Sequence, residues 1–144
     1  MTRLLLSATL LLMLGCAMPA ERVPLRPLPE NGQVLPYAEL LTRVRAQSSS
    51  AYEAFYVDRW DDLRDMAEGM EQTARFLSKA EEVPEKNRAT LKEVTGDLAK
   101  NAKKLRDAAV AHNAKDATEA LQQIIAKVHD LGLTDAKSAV PKKG

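Results

Sequence analysis

Apolar side chains recur at steps of three and four residues almost without interruption between residues 37 and 131. This spacing places them along one face of an α-helix, and no window of a strand's length alternates apolar with polar residues. Only one proline, Pro84, falls inside the range. The sequence therefore predicts an all-α fold.

Four apolar stripes, separated by changes of phase, predict four helices. They comprise Tyr37, Leu41, Val44, Ser48, Ala51 and Phe55; Trp60, Leu63, Ala67, Met70, Ala74 and Leu77; Leu91, Val94, Leu98, Ala102, Leu105, Ala109 and His112; and Ala117, Leu121, Ile124, Val128 and Leu131. Isolated helices of this length are marginal in water, so the stripes must be buried against each other. The short connections favour an antiparallel up-down-up-down four-helix bundle over residues 37–131.

Polar residues and Pro84 mark the predicted helix boundaries. We expect Asp58 to cap the second helix. The alternative is a capping box of Ser50 with Glu53, which would place the first break near Ser50. Pro84 fits the first turn of the third helix, and Asp116 is expected to cap the fourth.

A short apolar run precedes the only cysteine of the chain, Cys16. Residues 4–14 are mostly leucine, Arg3 supplies a positive charge before them, and Gly15 is a small residue after them. The run has about half of the roughly 20 residues that a membrane-spanning helix needs. Residues 1–15 are therefore predicted to be an export signal.

Residues 13–16, Met-Leu-Gly-Cys, resemble the lipobox of bacterial lipoproteins, with methionine where an aliphatic residue is more usual. The resemblance implies cleavage before Cys16, acylation of its thiol, with palmitate as the expected chain, and a periplasm-facing protein anchored in the lipid bilayer. Ala17 in place of an aspartate resembles a signal for the outer rather than the inner membrane. The alternative is an ordinary signal peptide cut after Met18 or Ala20, which would discard Cys16.

Residues 16–36 are predicted to form a proline-rich linker, because they contain five of the seven prolines of the chain. Proline lacks an amide donor and holds its predecessor extended, which disfavours helix and strand. A free linker of this length would reach up to roughly 50–60 Å from the membrane. Residues 132–144 are predicted to be a flexible tail.

Composition removes several classes of function. Without residues 1–15 the chain keeps 20 basic and 20 acidic residues, so its charge gives no reason to expect binding to nucleic acid. Cys16 is its only thiol, and acylation of that thiol would leave none for a disulfide, a cysteine nucleophile or a thiolate metal site. It also lacks a glycine-rich phosphate loop and a nucleophile elbow. We therefore expect a protein that is not an enzyme.

His129 is the candidate cofactor ligand. Residues 125–129, Ile-Ala-Lys-Val-His, have the spacing of a c-type haem attachment with aliphatic residues in place of both cysteines. Late in the last helix of a bundle, they resemble the cytochrome c-prime and cytochrome b-type families, and residues 113–121 resemble the start of the final helix there. The resemblance implies His129 as axial ligand of a non-covalent haem, for electron transfer or sensing. The alternative is a bundle without cofactor, in which His129 is a partly exposed helix residue.

The sequence contains two candidate metal sites, and we predict metal binding at neither. His112 and His129 would lie on the order of 20 Å apart along the bundle axis, too far to share a zinc ion. Four aspartates between residues 58 and 65 lack the glycine and the terminal glutamate of a calcium loop. Because arginines interleave with them, we expect local ion pairs at the start of a solvated helix.

Aromatic residues cluster around the first predicted turn, at Tyr52, Phe55, Tyr56 and Trp60. One use of such a cluster is to plug the end of the bundle. The other is a binding surface, because Trp and Tyr favour interfaces with a wet edge.

These features favour a membrane-tethered, non-catalytic envelope lipoprotein whose helical bundle serves as a binding or scaffold module. Its partner would be an envelope protein or a second copy of the chain. A homodimer would use a second apolar seam, with Tyr52 beside Tyr56 and Leu40 beside Phe76.

Overall fold

The computed structural model describes residues 27–28 and 34–132, and this part of the chain folds into five helices. They are α1 (Tyr37–Tyr56), α2 (Trp60–Leu77), α3 (Glu85–Arg88), α4 (Leu91–Val110) and α5 (Ala114–Gly132). The described residues contain no strand beyond a single bridge between Pro36 and Glu81, so the all-α prediction is confirmed for them. The predicted signal peptide, Cys16 and the tail after Gly132 lie outside the described residues.

The four long helices pack as a bundle around one apolar core. Helix α1 contacts α2 and α5, and α4 contacts the same two helices, so each long helix has two neighbours. The four predicted stripes supply most of the core, and nearly all of their residues are buried. Phe55, Trp60 and Val94 are partly buried at its margin, whereas His112 is exposed.

The first break lies at Asp58, but Asp58 does not cap α2. The residue before Trp60 is Arg59, and no side chain forms a cap hydrogen bond there. Asp58 has a φ of 55°, a left-handed conformation that aspartate tolerates better than most residues. Its contribution is therefore to the turn itself, and the predicted cap is wrong. Helix α1 also runs through Ser50 without interruption, so the alternative break does not occur.

The predicted third helix is divided. Pro84 precedes only the four-residue α3, and the long helix α4 begins at Leu91. The buried amide of Asn87 in α3 donates to the hydroxyl of Tyr37, 3.0 Å away, and that hydroxyl donates to the carbonyl of Leu131 at 2.8 Å. These bonds fix α3 across the start of α1 and the end of α5, which accounts for the break.

Asn113, rather than Asp116, caps α5. The side-chain carbonyl of Asn113 accepts a hydrogen bond from the backbone N–H of Asp116 at 3.2 Å, the usual N-cap contact. The amide of Asn113 also donates to the carboxylate of Asp116 at 2.7 Å. Asp116 therefore lies in the first turn of α5, and the prediction that it forms the cap is wrong.

The end of the predicted linker contacts the bundle. Leu28 and Leu35 pack against the core, and Leu28 hydrogen-bonds to Gln72 in α2. The backbone N–H of Tyr37 donates to the carbonyl of Glu81 at 3.0 Å. A free reach calculated over all of residues 16–36 is therefore too long, because the chain is already held at Leu28.

Candidate binding surface

Aromatic rings from two turns meet at one end of the bundle. Trp60, the first residue of α2, stacks on His112 between α4 and α5, with ring centroids 5.1 Å apart and planes 11° from parallel. The edge of Phe55 meets Trp60 at 5.8 Å, and Phe55 also meets Tyr56 at 6.1 Å. We call this cluster the aromatic end; its members are Tyr52, Phe55, Tyr56, Trp60 and His112.

The outer part of the aromatic end is a solvated, mixed polar and apolar surface. Tyr56 is 66% exposed, and the neighbouring Val57 is 55% exposed. The Tyr52 hydroxyl donates to the Tyr56 hydroxyl at 2.9 Å, a bond that raises the pKa of Tyr52. Val110 adds an exposed aliphatic side chain just before His112. Tyrosine rings paired with exposed aliphatic side chains are typical of protein-binding surfaces.

The aromatic end has the burial expected of a plug in one part and the exposure expected of a binding surface in another. Phe55 and Trp60 pack against the core, as expected of a plug, whereas Tyr52 and Tyr56 face solvent, as expected of a binding surface. The part that His112 plays was missed, because it was assigned to an apolar stripe. A signal for it exists in the sequence, since His112 and Trp60 each adjoin a predicted turn.

Charged residues beside the aromatic end are paired with each other. Arg59 contacts Asp62 at 3.2 Å, and Arg64 contacts Asp61 at 3.2 Å and Asp65 at 3.0 Å. This pairing matches the expectation of a solvated helix start. Among residues 27–28 and 34–132, no group of three or more potential ligands is arranged to hold a metal ion.

His129 lies on the outer face of α5. It is exposed, as is Ile125 one turn earlier, while Val128 and Leu131 face the core. An axial ligand for a haem inside the bundle would have to face inward, so the placement of His129 does not fit that group. His112 precedes α5, and at 1.5 Å per residue the helix puts His129 more than about 20 Å from it.

The predicted seam for a homodimer is only partly on the surface. Tyr52 and Tyr56 are exposed, but Leu40 is fully buried and Phe76 packs against the core. Leu40 is adjacent to Leu41 in sequence and lies one helical turn before Val44. It therefore faces inward with them and widens the buried face of α1. The proposed pairing of Leu40 with Phe76 on the surface is therefore wrong.

Comparisons with known proteins assign no family, since no protein-family model, curated protein or solved structure matches this chain. The described helices also include none that is both long and apolar enough to cross a membrane.

Proposed function

We propose that this protein is an envelope lipoprotein, anchored in the bilayer by an acylated Cys16, whose helical bundle binds another envelope protein without catalysis. The observation that carries the proposal is the exposed aromatic end. Its exposed tyrosines, together with the neighbouring Val57 and Val110, form an exposed surface that is rich in tyrosine, as protein interfaces are.

The proposal includes an up-down-up-down course of the four long helices. Three contacts between helices support it: the Tyr37 hydroxyl bonds to the end of α5, Trp60 at the start of α2 stacks beside the end of α4, and Lys127 pairs with Asp97 across α4 and α5. The first two contacts join the start of one helix to the end of its neighbour. In the third, Lys127 and Asp97 lie at matching distances from the turn between α4 and α5. Both patterns are expected of antiparallel helices.

In this arrangement the aromatic end lies far from the anchor. Helix α1 starts at Tyr37, on the side of the linker, and reaches the aromatic end at Tyr56 after about 30 Å. Anchoring through Cys16 would then hold the linker end towards the membrane and present Tyr56 to proteins on the far side. We infer that the bundle acts as a spacer that displays this surface.

The anchor is tested by fractionating cells that express wild-type protein or the Cys16→Ser variant. The wild type should be found with the membranes and the variant should be released, because no acyl chain can be attached to serine in this way. Membrane association of Cys16→Ser equal to that of the wild type would contradict the anchor.

The binding surface is tested with a photo-crosslinking residue introduced at Tyr56 or, as a control, at Lys79. Both positions are exposed, but Lys79 follows α2 and lies at the opposite end of the bundle. We expect a discrete crosslink to one envelope protein from Tyr56 only, and its loss when Val57→Ser is added. Equal crosslinking from both positions, or none from Tyr56, would contradict the proposal.

A further inference from the structure

The chain runs along α2 towards the linker end of the bundle before it enters α1. Leu28 is bonded through its backbone to Gln72, in the second half of α2, and its side chain packs against the core. Eight residues later, Pro36 and Tyr37 lie beside Glu81, which follows α2. A chain that keeps this direction brings the residues before Leu28 to the first half of α2.

Prolines determine which of those residues can face the helix. Pro24, Pro27 and Pro29 fix their own φ and hold the residue before each of them extended. A polyproline II segment has three residues per turn and rises about 3.1 Å per residue. Leu25 therefore shares the inward ridge of Leu28, about 9 Å further along. Pro27 between them is exposed while Leu28 is half-buried, as this period requires.

A half-buried apolar side chain lies on α2 at the distance that Leu25 needs. Met66 precedes Gln72 by six residues, or about 9 Å along the helix, and it packs against the core without being fully covered. Gly69 lies midway between them on the same face of α2. Because Gly69 carries no side chain, an extended backbone can pass close to the helix there.

The charge of this part of α2 favours the same occupant. Residues 61–71 contain five acidic residues and one arginine, whereas residues 22–26 contain two arginines and no acidic residue. The carboxylate of Asp65, next to Met66 in the sequence, is 59% exposed although it pairs with Arg64. Opposite charge on two surfaces favours their association and disfavours acidic competitors. This face of α2 therefore attracts a basic segment.

We propose that residues 24–26 of the same chain dock on α2, as an extended continuation of the contact at Leu28, with Leu25 covering Met66. The occupant is the chain's own segment, because the bound Leu28 holds Leu25 near the site at a high effective concentration. The docking does not depend on the anchor. With Cys16 acylated as proposed above, residues 16–23 would span at most about 25 Å and hold the bundle close to the bilayer.

Disulfide trapping in the full chain with Cys16→Ser tests the position of Leu25. The pair Leu25→Cys with Met66→Cys should form an intrachain disulfide about tenfold faster than the pair Leu25→Cys with Lys79→Cys. Lys79 is exposed and lies about 10 Å beyond Gln72 in the opposite direction, so an undocked segment would reach both positions alike. Equal rates would overturn the proposal. Disulfides between two chains would also overturn it, because a second copy would then occupy the site.

A second measurement in the Cys16→Ser chain needs no new cysteine. Leu25→Ser should shift the NMR signal of the Met66 methyl group, because it removes the side chain that covers Met66. Val23→Ser, just before the docked residues, is the control and should leave that signal unchanged. A Met66 signal that is insensitive to Leu25→Ser, or equally sensitive to both variants, would reject the docking. Since neither experiment uses an acylated chain, their failure would leave the anchor at Cys16 untouched.

Discussion

Gln72 holds the backbone of Leu28 with both polar atoms of its side-chain amide. The N–H of Leu28 donates to Oε1 of Gln72 at 2.8 Å, and Nε2 of Gln72 donates to the carbonyl of Leu28 at 2.6 Å. The side-chain amide of Gln72 therefore pairs with the backbone N–H and carbonyl of Leu28, as the backbone of a neighbouring β-strand would. It connects the segment before α1 to the middle of the bundle.

Replacing Gln72 by alanine should release this segment. Two hydrogen bonds are lost, each with a net value of about 1 kcal/mol, so Leu28 should detach locally while the bundle stays folded. Hydrogen exchange of the Leu28 amide should become fast in Gln72→Ala. It should stay slow in the control Gln122→Ala, which alters an exposed glutamine of α5. Unchanged protection in Gln72→Ala would show that the apolar contacts of Leu28 suffice.

The two glycines of α2 and α4 should respond to alanine in opposite directions. A Cβ atom at Gly69 would lie 2.7 Å from Nε2 of Gln47, whereas one at Gly96 would meet nothing within 4 Å. Gln47 is buried, and its Oε1 accepts a hydrogen bond from the Thr73 hydroxyl at 3.0 Å, so it cannot move away freely.

We therefore expect Gly96→Ala to raise the free energy of unfolding by about 0.5–1 kcal/mol through helix propensity alone. Gly69→Ala gains the same propensity, but displacing Gln47 costs more, for a net loss of about 1–2 kcal/mol. Urea denaturation followed by circular dichroism measures both changes. If Gly69→Ala stabilises as much as Gly96→Ala, then Gln47 is not held by Thr73.

The aliphatic core could be read from the sequence, but contacts between distant polar residues could not. The stripe containing Leu63, Met70 and Leu77 follows from helical period alone, and all three are fully buried. Gln72 and Leu28, in contrast, are 44 residues apart, and nothing local marks either as a partner. Their contact depends on how α2 is rotated against the incoming chain.

Backbone conformation at the turns was equally difficult to predict. Asp58 and His112 both have φ near 50°, whereas the sequence predicts a helix cap at Asp58 and the end of an apolar stripe at His112. Left-handed residues are chosen by the geometry of the turn, which a single sequence specifies only weakly when glycine is absent. The cluster of Tyr52, Phe55, Tyr56 and Trp60 could be predicted from the sequence. The contribution of His112 could not, because it depends on the conformation of the turn between α4 and α5.

Tyr37→Phe should destabilise the bundle although it removes a single oxygen atom. The Tyr37 hydroxyl bridges Asn87 and the carbonyl of Leu131, and both Tyr37 and Asn87 are buried. Removing it takes one hydrogen bond from each of Asn87 and Leu131, at a cost of about 1–3 kcal/mol for the two bonds, while the 3.3 Å bond from the Asn87 amide to the Leu131 carbonyl remains. The matched control is Tyr52→Phe, whose hydroxyl is exposed and whose loss should change the thermal midpoint little. Equal midpoints for the two variants would contradict the bridging role of Tyr37.

The pair formed by Asp97 and Lys127 should make stability depend on pH at both extremes. The Lys127 ammonium lies 2.9 Å from the Asp97 carboxylate, and this hydrogen bond lowers the pKa of Asp97 below 3.8 and raises the pKa of Lys127 above 10.5. The contribution of Asp97 is therefore present above its ordinary pKa and is lost as pH falls through the lowered value. The contribution of Lys127 is complete below its ordinary pKa and is lost as pH rises through the raised value.

Lys127→Gln should consequently lower stability by a constant amount between about pH 5 and pH 9, with the difference from the wild type shrinking towards both ends. The amount should be small and should fall with added salt, because both side chains are partly exposed. Thermal unfolding across this pH range measures it, with Lys103→Gln, an exposed lysine of α4, as the control. A difference that does not shrink as the pH falls through the lowered pKa of Asp97 would exclude the ion pair as its source.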